Sequence, residues 1–221
     1  MYIEPRIIPT QDGSATLVHP LSGECYHSLH GAVTESRHTF IDAGLAECRR
    51  QSVTIFEMGF GSGLNALLSL LYGAEHGIEI AYHAVELYPI EPSYASLLGY
   101  DKAVGCDPAL LSALHSAPWG ETTAVSERFS LTKINCAIED YSFTDTLDVV
   151  YWDAFAPDNA KSQWSGEIFA RLYRSVSEGG VLVTYCAKGI VKEALRRAGF
   201  TVERLPGAPG KRHMVRARRL L

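Results

Sequence analysis

The run Glu57-Met58-Gly59-Phe60-Gly61-Ser62-Gly63-Leu64-Asn65 sets an acid, three alternate glycines and an amide where an apolar stretch gives way to helical spacing. Glycines let the backbone turn sharply and approach a ligand, and the helix that follows offers free amides to an acceptor. The spacing is G-x-G-x-G with an acid two positions ahead, whereas dinucleotide binders show G-x-G-x-x-G with pyrophosphate over the helix. A carboxylate at Glu57 repels pyrophosphate but suits a ligand with a positively charged centre. The alternative is a tight strand-to-helix turn with no ligand.

Other strand ends carry further candidates. Glu86 closes the next apolar run, where a carboxylate can accept both hydroxyls of a ribose; a solvated strand-end acid is the alternative. Ile138-Glu139-Asp140 follows the third run and offers an apolar wall and an acid to a purine, and spacing does not choose between Glu139 and Asp140. The fourth run ends in Tyr151-Trp152-Asp153-Ala154-Phe155-Ala156-Pro157. There Asp153 is placed to accept a hydrogen bond from an amine and take its proton, with Phe155 and Pro157 walling out water. Capping of the following turn is the simpler role for that aspartate. Together these features point to S-adenosylmethionine and to methyl transfer onto an amine. A nucleotide-binding protein without methyl transfer is the rival reading, and thermal shifts with S-adenosylhomocysteine and NAD separate the two. The stretch Tyr26-His27-Ser28-Leu29-His30, with His38 beyond, lacks the acids or cysteines of a zinc site, so it reads as a pocket lid and no metal is expected.

These residues need a scaffold that brings several strand ends together. From Val53 onward, short β-branched runs alternate with helix-period segments, the pattern of a mostly parallel α/β sheet. Strands are expected at 53–58, 78–86, 129–136, 147–153 and 181–186, then 200–205 and 213–217 as a closing hairpin around Pro206-Gly207-Ala208-Pro209-Gly210. Leu64, Leu67, Leu68 and Leu71 mark one helix face; Ile168, Phe169, Leu172 and Val176 mark another with Ser165 as its cap. Ile190, Val191, Ala194 and Leu195 mark a third, stopped at Gly199. The expected fold is Rossmann-like, with helices on both faces and a C-terminal antiparallel hairpin. Residues 1–52, with turn clusters at Asp12-Gly13-Ser14 and Leu21-Ser22-Gly23, form an extension over the cofactor pocket, and residues 53–221 form the catalytic domain.

A chain of 221 residues, 47% hydrophobic and 20% charged, builds one sizeable core. The five cysteines are scattered without a CxxC pair and read as reduced thiols. A first stretch mixing acid, base and proline, and the lack of a long apolar run, point to the cytoplasm and away from a membrane. The net charge of −5 argues against a general field for nucleic acid. A local basic group does exist, in Lys188, Lys192, Arg196, Arg197, Lys211, Arg212, Arg216, Arg218 and Arg219; it reads either as a solvated face or as phosphate contacts.

At this point the motifs resemble a family: the methyltransferase half of the bacterial tRNA 5-methylaminomethyl-2-thiouridine biosynthesis protein, and above all its free-standing relatives. The resemblance runs through Tyr26-His27-Ser28, Gly31-Ala32, Glu35-Ser36, residues 56–65, Asp153-Ala154-Phe155-Ala156-Pro157 and Trp164. It continues through Gly179-Gly180, Thr184-Tyr185-Cys186-Ala187-Lys188-Gly189, Pro206-Gly207 and Gly210-Lys211-Arg212. It implies methylation of the amine of 5-aminomethyl-2-thiouridine at the tRNA wobble position, with tRNA as partner and a separate enzyme making the aminomethyl group. Asp153 is then the acid beside the target amine, and Glu57, Gly59, Gly61, Gly63 and Asn65 are the cofactor loop. Glu86 is the ribose acid, with Tyr26 and Glu35 in the cofactor pocket. Family members often have an acid where this chain has Cys136-Ala137, which directs the adenine contact to Ile138 and Glu139. Trp164, Lys188, Lys211 and Arg212 fall on the substrate side. The proline that usually precedes the tryptophan is replaced here by Asp158-Asn159-Ala160-Lys161-Ser162-Gln163.

Overall fold

A computed structural model describes residues 6–20 and 22–220, so Leu21 of the expected Leu21-Ser22-Gly23 turn lies outside the described residues. The chain begins with an antiparallel pair, β1 (Arg6–Pro9) and β2 (Ala15–Val18), set apart from the main sheet. Helix α1 (Ala32–Ser36) continues into a π-helical turn, Arg37–Asp42, and a 3-10 turn, Leu45–Glu47. Next come β3 (Ser52–Met58), α2 (Leu64–His76) and β4 (Glu79–Val85), then the short helices α3 (Pro92–Ser96), α4 (Tyr100–Val104) and α5 (Pro108–Ser116). Strands β5 (Thr122–Ser126), β6 (Phe129–Ile134) and β7 (Leu147–Trp152) lead through a 3-10 turn, Lys161–Trp164, to α6 (Gly166–Ser175). Strand β8 (Val176–Thr184), α7 (Gly189–Ala198), β9 (Thr201–Pro206) and β10 (His213–Arg218) complete the chain.

Eight strands form one sheet in the order β5-β6-β4-β3-β7-β8-β10-β9. Strands β6, β4, β3, β7 and β8 are parallel, while β5, β10 and β9 are antiparallel to their neighbours. The chain starts at the centre with β3, builds outward through β4 and β6, then returns to β7 on the other side of β3. That reversal opens a crevice at the carboxyl ends of β3 and β7, the place where such sheets bind ligands. All six residues of β7 are buried, as a central parallel strand covered on both faces requires.

Two apolar clusters line the two faces. One packs Val149 and Tyr151 with Leu64, Leu67 and Leu68 of α2, and takes in Leu17, Val33, Phe40 and Leu45 from the first fifty residues. The other packs Val150 and Trp152 with Ile168, Phe169 and Leu172 of α6 and Val191 and Leu195 of α7. Ser165 caps α6, its side chain accepting from the Ile168 N–H at 3.3 Å, and Gly199 ends α7 in the left-handed region at φ 113°.

Two stripe residues depart from expectation. Val176 does not extend α6; it opens β8 opposite Leu147, because the helix stops at Ser175 and the backbone turns extended. Ile190 is 61% exposed while Val191 is fully buried, since the first turn of α7 projects past the edge of the core. Strands β1, β2 and β5 and helices α3 to α5 carried no readable pattern. β5 is a half-exposed edge strand with Val125 as its one large apolar residue among threonine, alanine and serine, and the helices are too short for a helical stripe to repeat. Among the described residues, no helix is long and apolar enough to cross a membrane.

Candidate active site

Backbone hydrogen bonds lock the central strand ends together. The Asp153 N–H donates to Met58 O at 3.1 Å, Gly59 N–H to Val85 O at 2.9 Å and Glu86 N–H to Ile134 O at 3.0 Å. Gly59, Gly61 and Gly63 of the bend after β3 all sit at positive φ, and two of them show the need for glycine most clearly. Gly61 sits at φ +48°, and a Cβ there would meet the Tyr26 ring at 3.2 Å. Gly63 starts α2 at φ +73°, and its Cβ would meet His115 Nε2 at 2.9 Å. Left-handed backbone costs an L-residue roughly 1–2 kcal/mol, so glycine is the residue that fits.

A cavity of about 400 Å³ opens over this bend. Of the expected residues, Tyr26, Glu35, Gly59, Gly61, Asn65, Glu86, Asp153, Phe155 and Lys211 line it. The Tyr26 and Phe155 rings meet edge to face at 5.2 Å and form one wall. At the tip of β4, Glu86 receives the Gly61 N–H on Oε2 at 3.0 Å and the Tyr88 N–H on Oε1 at 2.9 Å. Burial raises its pKa, and those amides oppose the rise.

Asn65, on the first turn of α2, joins two acids. Its Nδ2 donates to Asp153 Oδ2 and to Glu57 Oε1, both at 2.8 Å. Glu57 is only 1% exposed and lies beneath the cavity rather than in its wall, because it sits on central β3 and is covered by Asn65 of α2. Burial drives its carboxyl well above the usual range, and the neighbouring Asp153 adds to the rise. Asp153 is likewise pushed well up, by burial first and then by Glu35, against the pull of Asn65 and Lys211. A carboxyl so placed takes up a proton more readily than an exposed one.

The other candidates do not line the cavity. Ile138 is buried in the second apolar cluster, and Glu139 is exposed with its carbonyl bound by Arg171, so neither reaches the cavity wall. Gly63 and Pro157 shape the bend and the loop from behind. Trp164 is buried, and its Nε1 donates to Phe155 O at 2.8 Å, so it braces the loop after β7. Lys188 pairs with Asp158 at 2.5 Å, and Arg212 is exposed. Much of the basic group is neutralised within the fold: Arg216 and Arg218 both pair with Glu47 and Glu203. Lys211 turns inward, pairs with Glu35 and lies 3.9 Å from the centre of the Tyr185 ring.

Several supporting residues were given no role by the sequence, although Ser62, His27 and Tyr185 lie inside the runs named above. Ser62 Oγ lies 2.8 Å from His27 Nε2 and accepts from the Tyr100 hydroxyl at 3.1 Å, and its carbonyl meets His115 Nε2 at 3.0 Å. Buried Lys133 donates to the carbonyls of Leu114 and His115, fixing the end of α5 beneath the bend; burial lowers its pKa to about 8. Tyr185 donates to Ala154 O at 2.8 Å. Each comes from a separate element, so no local spacing could announce it.

These residues fit a cationic adenosine cofactor. The walls offer the carboxylates Glu24, Glu35, Glu86 and Asp153 and apolar surface from Met58, Phe60, Leu64 and Phe155. Asn65 Oδ1 and Glu24 Oε2, on residues that line the cavity, are buried with no hydrogen-bond partner among the described residues.

Comparison with known proteins agrees. Residues 120–219 match a family described as S-adenosyl-L-methionine-dependent methyltransferase. The chain is 31% identical to the tRNA 5-methylaminomethyl-2-thiouridine biosynthesis bifunctional protein MnmC of Burkholderia mallei, across 95% of its own length and 35% of that protein. The Burkholderia thailandensis protein of the same name gives the same figures. The chain thus spans about a third of the length of these relatives. Among solved structures, MNMC2 from Aquifex aeolicus matches with a TM-score of 0.77 at 26% identity, covering 98% of this chain and 71% of that one. Spermidine synthase from Thermotoga maritima shares the fold, with a TM-score of 0.55 at 13% identity over 99% of this chain and 70% of its own. The sheet, the glycine bend and these likenesses converge: the chain is an MnmC-like, S-adenosylmethionine-dependent methyltransferase domain with the class I fold.

Proposed function

We propose that this enzyme methylates the primary amine of 5-aminomethyl-2-thiouridine at the wobble position of tRNA, in the cytoplasm. The observation that carries the reading is the Asp153 carboxyl at the end of β7, its pKa raised, held by Asn65 in the same cavity as the glycine bend. The names of the Burkholderia relatives supply the nucleoside.

S-adenosylmethionine supplies an electrophilic methyl group on a sulfonium. Glu86 holds the ribose hydroxyls, and the bend from Gly59 to Gly63 admits the ligand closely. Asn65 occupies Asp153 Oδ2, which leaves Oδ1 to accept a hydrogen bond from the acceptor amine and then its proton. Tyr26 and Phe155 exclude water, and Trp164 keeps Phe155 in place through its carbonyl. Residues 1–52 serve as the cover of the pocket, contributing Tyr26 and Glu35. Exposed Arg212 and exposed Lys188 meet tRNA phosphate. A separate enzyme delivers the aminomethyl group.

The internal pairing of Arg216 and Arg218 favours a second reading, a smaller amine as acceptor. Incubation of hypomodified tRNA with the protein and methyl-labelled cofactor, followed by mass spectrometry of the nucleosides, separates the two. Labelled 5-methylaminomethyl-2-thiouridine is the expected product. Unlabelled tRNA alongside a labelled small amine would establish the second reading instead.

A further inference from the structure

We propose that Glu35 and Lys211 form a zwitterion clamp: the lysine holds the carboxylate, and the glutamate the α-ammonium, of the amino-acid half of the cofactor. This rests on the reading of the cavity as the cofactor site.

The two residues lie far apart in the chain. Glu35 comes from α1, and Lys211 from the turn between β9 and β10. The turn is seated against the first fifty residues: His38 Nε2 lies 3.0 Å from Pro206 O, and a Cβ on Gly210 would strike the His30 ring at 2.0 Å. Lys211 is thereby delivered into the cavity. Its ammonium is paired with Glu35 and lies over the Tyr185 ring, which the bond from its hydroxyl to Ala154 O keeps in place.

Charge counting selects the lysine. Among the described residues lining the cavity, Lys211 is the one lysine or arginine, set against four carboxylates. A ligand carboxylate entering this acidic cavity therefore has a single side-chain cation to meet. Elimination selects the glutamate. Glu57 lies below the wall and is bound by Asn65, and Glu86 is held by two backbone amides at the tip of β4. Glu24 takes the Ala156 N–H at 3.3 Å on one oxygen and keeps the other unpartnered, but among the described residues it has no ion-pair partner to hand a ligand carboxylate, and Asp153 faces the reacting amine in the proposed reaction. Glu35 keeps one oxygen on the Ser28 N–H at 2.8 Å and directs the other at Lys211. The glutamate side chain is 7% exposed and the lysine 33%, so both are substantially desolvated. An amino-acid zwitterion can exchange partners with such a pair and leave neither group unpaired, which a ligand of single charge cannot do.

The test is calorimetry with two ligands: S-adenosylhomocysteine, which has the amino-acid half, and 5′-methylthioadenosine, which keeps the adenosine and sulfur but lacks it. Lys211→Met should weaken S-adenosylhomocysteine by about tenfold or more and leave 5′-methylthioadenosine within about twofold. Retained binding of the smaller ligand also shows that the variant is folded. Glu35→Gln, which keeps an acceptor for Ser28, should show the same split. Unchanged S-adenosylhomocysteine affinity in both variants, or equal losses for both ligands, would overturn the clamp while sparing the cofactor reading. Failure of the unaltered protein to bind either ligand would overturn both.

Discussion

Asp153 and Glu86 are two acids at strand ends with different proposed tasks, and substitution separates them. In the proposed reaction Asp153 takes the amine's proton, so Asp153→Ala should lower turnover by about 10²-fold or more while S-adenosylhomocysteine affinity stays nearly constant. Steady-state kinetics with calorimetry check this, and equal losses in both would deny Asp153 its role. Glu86→Ala removes a charged acceptor and should weaken S-adenosylhomocysteine by about 1.5–3 kcal/mol, with turnover recovered at saturating cofactor. Both acids were legible in the sequence because each sits at the last residue of an apolar run. Glu57 shows where that legibility ends. Its spacing before the glycines was plain, but its burial under Asn65 follows from which face of β3 it occupies beside β4 and β7, and that is settled by the assembled sheet. Ile138 and Glu139 make the same point: they follow the expected strand, yet the loop turns them away from the cavity wall.

Among the elements, the bend after β3 is the most sensitive. Gly61→Ala places a side chain at φ +48° against the Tyr26 ring and should cost roughly 1–2 kcal/mol in a denaturant titration. A loss of cofactor affinity should accompany it, because the Tyr26 wall must shift. An unchanged unfolding midpoint would show that the bend relaxes freely. Three helices were readable from their apolar stripes, and two of them carried a chemical boundary as well: Ser165 before α6 and Gly199 after α7. Helices α3 to α5 were not, although Pro108 and the Asp107 side chain, which accepts the Ala109 N–H at 2.8 Å, give α5 a proper start. At nine residues or fewer their apolar stripe does not repeat, and tertiary packing decides their form. Their contribution is considerable all the same, since α5 carries His115 to the carbonyl of Ser62.

On the scale of the whole molecule, the cavity is assembled from the first fifty residues, the ends of β3, β4, β7 and β8, and the terminal hairpin. His27 belongs to that assembly and links its stability to acidity. Burial lowers its pKa from 6.5 to about 4, so the unfolded chain binds the proton more readily than the folded one. The stability that neutral His27 contributes is therefore present above 6.5 and lost as pH falls through that value towards 4, by ~3 kcal/mol. Urea unfolding at several pH values should show that loss in the unaltered protein and a flatter profile in His27→Gln; identical profiles would exclude His27 as the group responsible. The parallel sheet was legible from alternation alone. The inward turn of Lys211 was not, because its basic neighbours in sequence are exposed, as Arg212 is, or pair with Glu47 and Glu203, and only the closed hairpin separates them.

A crystal structure with S-adenosylhomocysteine bound is the most direct test of the central claim, that the glycine bend seats the methyl donor opposite Asp153. The expected result is the ligand sulfur above Gly59 and Gly61, within about 6 Å of the Asp153 carboxyl and with space between them for one amine nitrogen. A sulfur directed away from Asp153, or a ligand bound outside the crevice between β3 and β7, would contradict it.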